Sequence, residues 1–254
     1  WNGGFETDLF GNKLHFEMNV YHSKTTDQIF DRTIPIMTAG ISTQKATMGQ
    51  VNNTGVEINA TSTNIKTKDF TWTSTFVFTL NRNKLVELYG NGQNDITNSL
   101  FVGKSLGAIY GYRTDGIFQE GEYAGTPIFL TKDGEQTANP SPDEDRTILG
   151  YSLENFRASL SNTLRYKGFQ LYFMLNGVFG GNGYGLADNT FAYMTYNTQN
   201  RSNALDIPFW TKDNPSNKYP SPSYSNTQNF YKVYNPYTYI RLQELSLSYD
   251  LTPW

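Results

Sequence analysis

The 254-residue chain contains no cysteine, which excludes disulfide staples, thiol nucleophiles and cysteine-based zinc sites. Only two histidines occur, His15 and His22, so a His-rich metal site is excluded too. No stretch approaches the ~20 consecutive apolar residues of a membrane-spanning helix. The formal net charge is −3 and the basic residues are scattered, which leaves no electrostatic footprint for nucleic acid. Trp1 to Asp8 carry neither a basic nor an apolar leader segment. Because Trp1 already stands in strand-like sequence, the expectation is a chain that begins inside a longer protein. No glycine-framed serine suits a nucleophile elbow, and His15 reads as a water-facing histidine beside Glu17. The expectation is a protein that is not an enzyme.

What is plentiful is aromatic: 17 Phe, 18 Tyr and 4 Trp, in a chain whose mean hydropathy is nonetheless negative. The apolar residues are dispersed in alternation, the period-two mark of strands. Leu14, Phe16, Met18 and Val20 alternate with His15, Glu17, Asn19 and Tyr21. Val56, Ile58 and Ala60 do the same, and Phe70, Trp72, Phe76, Phe78 and Leu80 oppose a row of threonines. Phe156, Ala158, Leu160 and Leu164 follow, then Phe169, Leu171, Phe173, Leu175 and Phe179, and finally Leu245, Leu247, Tyr249 and Leu251.

Several runs last ten or more residues. Soluble strands are typically ~5–6 residues long, whereas a tilted membrane strand needs ~9–11. None of the apolar rows holds a charge, as hydrocarbon contact demands. Ser74 and Asn162 interrupt the rows with no reason visible in the sequence, and the phase slips at 241–244, as a β-bulge would make it do. A soluble β-sandwich also alternates, but its strands are shorter.

Turn lengths alternate as well. Short turns fall at 9–12, 66–69 and 166–168, and long irregular segments at about 34–51, 85–150 and 181–236. Seven strands from Gly3 to Leu251 put every short turn on one side. Phe70, Trp72, Tyr166 and Phe169 then flank the short turns as an aromatic girdle. The expected fold is all-β: part of a large antiparallel transmembrane β-barrel with long extracellular loops.

Three stretches resemble one family. Asn52-Asn53-Thr54-Gly55-Val56-Glu57 precedes Phe70-Thr71-Trp72 and Asn81-Arg82-Asn83-Lys84-Leu85-Val86. Val102-Gly103-Lys104-Ser105-Leu106-Gly107 leads to Tyr110-Gly111-Tyr112 and Asp115-Gly116-Ile117-Phe118. Asp145-Arg146-Thr147-Ile148-Leu149-Gly150 precedes Tyr166-Lys167-Gly168-Phe169. In order and spacing these resemble the SusC/RagA-like TonB-dependent transporters of the Bacteroidetes outer membrane, over nearly the whole chain. The resemblance implies that residues 1–254 are a C-terminal section of the receptor barrel, with plug, first strands and last strands elsewhere. Transporters of about 22 strands enclose a plugged lumen.

It further implies active import of an oligomeric nutrient, glycan or peptide, through the bacterial outer membrane. A SusD-like surface lipoprotein would cap the loops, and the TonB complex would act through the plug. The rival readings are a secreted carbohydrate-binding or adhesive β domain and a passive porin.

Candidate contact residues lie in the long segment 181–236. Tyr184, Phe191, Tyr193, Tyr196, Trp210, Tyr219, Tyr224 and Tyr231 stand there among Asn, Ser and Asp. Flat rings beside amides and hydroxyls suit sugars or peptide backbones; packing of the loop on itself is the plainer alternative. Gly177, Gly180, Gly181, Gly183 and Gly185 read as a rim kink where the chain leaves the sheet. No cofactor is expected. Calcium, held by Asp133, Asp143 and Asp145, is the one metal the resemblance suggests, and a solvated acidic loop is the alternative.

Overall fold

The computed structural model describes residues 1–33, 43–47, 49–184, 208–224, 234–236 and 238–251. Among them every regular element is a strand, and no helix is long and apolar enough to cross a membrane. The strands are β1 (Asn2–Leu9), β2 (Leu14–Thr26), β3 (Ile29–Thr33), β4 (Thr43–Thr47), β5 (Gly49–Lys66), β6 (Phe70–Leu88), β7 (Ala108–Tyr112) and β8 (Thr114–Ile117). They continue with β9 (Pro127–Leu130), β10 (Gln136–Thr137), β11 (Arg146–Tyr151), β12 (Phe156–Tyr166), β13 (Phe169–Phe179), β14 (Asn182–Tyr184), β15 (Tyr234–Pro236) and β16 (Tyr239–Tyr249).

Seven strands form one antiparallel sheet in the order β1-β2-β5-β6-β12-β13-β16. This is the predicted wall, and it does not close on itself. Its register aligns the alternating apolar positions into continuous rows. One row runs Phe5, Met18, Ile58, Phe78, Ala158, Gly177, Ile240 across all seven strands. The next runs Thr7, Phe16, Ala60, Phe76, Leu160, Leu175, Leu242. Neither carries a charge, and many of their members are exposed, Leu242 at 53% and Phe5 at 57%. The other face holds Glu6, Glu17, Asn59, Val77, Ser159, Asn176 and Arg241 in one row, polar at every strand but β6. An apolar sheet face left uncovered beside a polar one is the arrangement of a barrel wall in lipid.

Polar residues interrupt one apolar row: Ser62, Ser74 and Asn162 stand side by side in it. They satisfy one another. The Asn162 Oδ1 accepts from Trp72 Nε1 at 2.9 Å and from Ser74 Oγ at 2.7 Å. Asn64 Nδ2 donates to Ser74 Oγ at 2.7 Å, and Ser62 Oγ donates to Asn64 Oδ1 at 2.8 Å. Asn162 is buried by its neighbours. A linked, satisfied chain of this kind avoids the cost of unpaired polar groups away from water.

At one end of the sheet the connections are tight. Phe10, Gly11 and Asn12 take left-handed φ of 55°, 65° and 63°, and Lys167 and Gly168 take 45° and 88°. Two consecutive positive φ values make a two-residue hairpin turn compatible with strand twist. Phe70, Tyr166, Phe169 and Tyr249 line up across four strands beside these turns, with the Phe169 and Tyr249 rings 4.5 Å apart. The phase slip is a bulge: Met174 pairs with Glu244 and Leu175 with Leu242, which leaves Gln243 unpaired.

At the other end, β5 and β6 extend to 18 and 19 residues. Val51, Leu85 and Leu88 form a buried cluster there, covered by Tyr89, Leu100, Val102 and Leu106. Two of the family-like motifs are hydrogen-bonded together at this point. Leu85 N–H donates to the Lys104 carbonyl at 2.8 Å and Gly103 N–H to the Leu85 carbonyl at 2.7 Å. Asn83 Oδ1 accepts from Ser105 Oγ and from Leu106 N–H.

The segments read as irregular are more ordered than expected. β3 pairs with β4, β6 continues to Leu88, and 108–151 contains two small sheets, β11-β7 and β10-β9-β8. These strands are two to six residues long, too short for periodicity to reveal. Residues 108–152 and 182–236 form a compact unit distinct from the wall.

Candidate functional site

The candidate site is this second unit. Its centre is apolar: Phe129 and Ile117 are fully buried, and Tyr112 packs edge-on against Phe129 at 5.8 Å. Burial pushes the Tyr112 hydroxyl pKa up. Arg146 lies over the Tyr110 ring at 5.3 Å, so the Tyr110-Gly111-Tyr112 and Asp145-Arg146 motifs meet across the β7–β11 pair.

Residues 208–224 make a small hairpin-like structure folded onto the end of β8 and the β8–β9 connection. Trp210 N–H donates to the Tyr219 carbonyl at 2.9 Å, and Thr211 and Asn214 exchange backbone bonds at 3.0 and 3.1 Å. The Trp210 indole donates to Gln119 Oε1 at 2.9 Å, while Gln119 Nε2 donates to the Ile117 and Ser216 carbonyls. Asn217 Oδ1 accepts the Ile117 N–H at 2.9 Å. Gly125 lets the indole lie flat on the backbone: a Cβ there would stand 2.6 Å from Trp210 Cε3 and 2.9 Å from Ser221 Cβ, and its φ is +82°. Gly125→Ala is therefore expected to destabilise this unit by roughly 1–3 kcal/mol through overpacking and a left-handed φ. Trp210 fluorescence reports it: a red shift and readier quenching in the variant, where an unchanged spectrum contradicts the packing described.

A cleft of about 560 Å³ opens in the same unit, with Tyr112, Arg113, Asn182, Asn217, Lys218 and Tyr234 among its walls. Arg113 Nη2 donates to the Thr131 and Lys132 carbonyls. Its Nε–H is buried with no acceptor among the described residues. The walls thus combine a cation, amides and ring faces, which can bind hydroxyls, carboxylates or peptide groups.

The sequence-derived candidates are distributed as follows. Trp210 is buried and Tyr219 half-buried under the Lys218 ammonium, 4.9 Å from its ring. Tyr224 is half-buried, and burial pushes its hydroxyl up to about 12. Tyr184 ends β14 and pairs with Tyr234. Phe191, Tyr193, Tyr196 and Tyr231 lie outside the described residues, as does Gly185. Gly180 and Gly181, at φ 76° and 85°, do mark the exit from the sheet. Arg113, Gln119 and Asn217 were not singled out by sequence; the glycines at 116 and 125 were the available sign of close packing.

The acidic candidates do not converge. Among the described residues Asp133, Asp143 and Asp145 form no group of ligand atoms within 4.8 Å. Asp133 and Asp143 are exposed. Asp145 is buried and caps the backbone, accepting from Lys132 N–H at 2.9 Å and Ser141 N–H at 2.7 Å. That structural task accounts for the Asp of its motif.

No family model matches the chain. Among curated proteins it is 28% identical to TonB-dependent receptor P3 of Formosa agariphila, over 98% of this chain and 26% of that protein. It is 23% identical to TonB-dependent receptor SusC of Bacteroides thetaiotaomicron, over 69% of this chain and 18% of that one. The chain spans about a quarter of the length of the first of these relatives. Among solved structures, that of the RagAB peptide transporter superposes with a TM-score of 0.78 at 20% identity, over 98% of this chain and 28% of that chain. The RagAB peptide importer in the open-open state gives 0.76 at 22% identity.

The fold is that of a section of a large antiparallel β-barrel. In sequence the chain is similar to TonB-dependent receptors, SusC among them, in line with the resemblance of its motifs.

Proposed function

We propose that residues 1–254 form the C-terminal barrel section of a transporter that imports oligomeric nutrients, glycan or peptide, across a bacterial outer membrane. The observation that carries this reading is the uncharged, exposed apolar face running through all seven strands. Supporting it are the likeness to SusC and to a peptide transporter, and long connections confined to one end of the sheet. In this reading the second unit and the segment 181–236 contribute to cargo contact. A SusD-like lipoprotein covers the loops, and the TonB complex supplies energy through a plug outside this chain.

The test is deletion of the complete transporter gene. Loss of growth on one class of oligomer, with growth on its monomers intact and restored by the gene, is the expected result. Recovery of the complete protein in the detergent-free soluble fraction, or oligomer use unaffected by deletion across glycans and peptides, overturns the proposal.

A further inference from the structure

On the polar face of β1 and β2, close to the tight turn at 10–13, four titratable side chains converge. Glu6 pairs across the strands with Glu17, and Asp8 with His15. Like charges directly opposed in this way are unfavourable, so the site calls for a cation. The imidazole stands among these carboxylates. Its Nδ1 is 2.9 Å from Asp8 Oδ1, while Nε2 lies 3.2 Å from Glu17 Oε1 and 3.9 Å from Glu6 Oε1.

We propose that Glu6, His15 and Glu17 bind a divalent transition-metal ion, with Zn²⁺ as the reference case. The three ligand atoms lie within 4.8 Å of one another. Zinc bonds of about 2.0–2.2 Å to His nitrogen and carboxylate oxygen place tetrahedral ligand atoms roughly 3.3 Å apart. The His15–Glu17 separation already matches, and Glu6, the most exposed of the set, needs only a small side-chain movement.

The surroundings distinguish this group from a solvated acidic patch. When the neutral imidazole donates Nδ1–H to Asp8, its Nε2 lone pair is aimed at the two glutamates. This is the carboxylate–histidine–metal arrangement, in which an outer carboxylate fixes the tautomer and strengthens the ligand. Glu17 is oriented in turn: its Oε2 accepts from Asn59 Nδ2 at 3.2 Å. The Asn59 Oδ1 is buried with no donor among the described residues. An imidazole with two carboxylates selects zinc or a related transition ion over calcium or magnesium, which prefer all-oxygen shells. The inference rests on β1, β2 and β5 alone and holds whatever cargo the transporter carries.

The test uses the complete transporter in detergent, stripped with chelator and titrated calorimetrically with Zn²⁺ alone. The expected result is one more bound Zn²⁺ in the wild type than in His15→Gln or Glu17→Gln, and a rise in Tm on Zn²⁺ addition that His15→Gln lacks. Asp8→Asn keeps all three ligands and is expected to weaken binding by about 10–100-fold. His22→Gln, whose ring bonds Thr54 instead, leaves it unchanged. Failure of the wild type to bind Zn²⁺ needs no variant to interpret and overturns the proposal. So does equal stoichiometry and affinity in His15→Gln and Glu17→Gln, which leaves only a protonated histidine among carboxylates.

Discussion

Leu160→Arg is expected to destabilise the folded barrel by about 2–4 kcal/mol, whereas Ser161→Arg, one residue away, changes it by no more than about 0.5 kcal/mol. Leu160 pairs with Phe76 on one side and Leu175 on the other, within an uncharged row. It stands six residues from Tyr166 at the turn-side girdle, roughly 15 Å along the membrane normal for a tilted strand rising ~3.3 Å per residue. That depth is near the middle of an apolar band ~25 Å tall. Ser161 points to the opposite face, opposite Thr75 and Met174, where an arginine meets water. Urea unfolding of the complete protein in lipid vesicles, read by the mobility shift of heated against unheated samples, gives the comparison. Equal losses from both variants mean that the two faces do not meet different solvents.

Asn162→Leu is the second substitution with a large expected effect, and its sign runs against hydropathy. Leucine on a lipid-facing row ought to help. Here it removes the Oδ1 that accepts from both Trp72 Nε1 and Ser74 Oγ, and leaving donors unpaired away from water costs about 1–3 kcal/mol each. A net loss of roughly 2 kcal/mol is expected after the gain in apolar burial. The combination Trp72→Phe, Ser74→Ala, Asn162→Leu removes donors and acceptor together and should recover most of that loss. If Asn162→Leu alone stabilises the barrel in the same unfolding assay, the network has no energetic role.

The wall was legible because one physical rule generates it: a strand between lipid and water must alternate. Phe70 to Leu80 and Phe156 to Leu164 carried that alternation, and the slip at 241–244 marked the bulge at Gln243. Ser74 and Asn162 were illegible because their reason is each other, 88 positions apart in sequence. The small sheets of 108–151 were missed since strands of two to six residues repeat the two-residue period only one to three times, too few to stand out. Trp210 was read as one of a set of rings that either contact cargo or pack the loop on itself, with no means of telling which. Its burial depends on Gly125 and Gln119, contacts that no local pattern announces. The acidic residues near Asp145 looked like ligands, but two backbone N–H groups account for the buried one.

Every excursion longer than a tight turn leaves the seven-stranded sheet from the same end, after β2, β6 and β13. Such a layout decouples two evolutionary problems. On the function proposed above, mutation, insertion or wholesale exchange of 108–152 and 182–236 would alter cargo contact while the hydrogen-bond ladder of the sheet keeps its register. Chimaeras between distant homologues should thus tolerate junctions at 107/108 and 152/153, with the seven-stranded ladder on either side of the exchange unchanged.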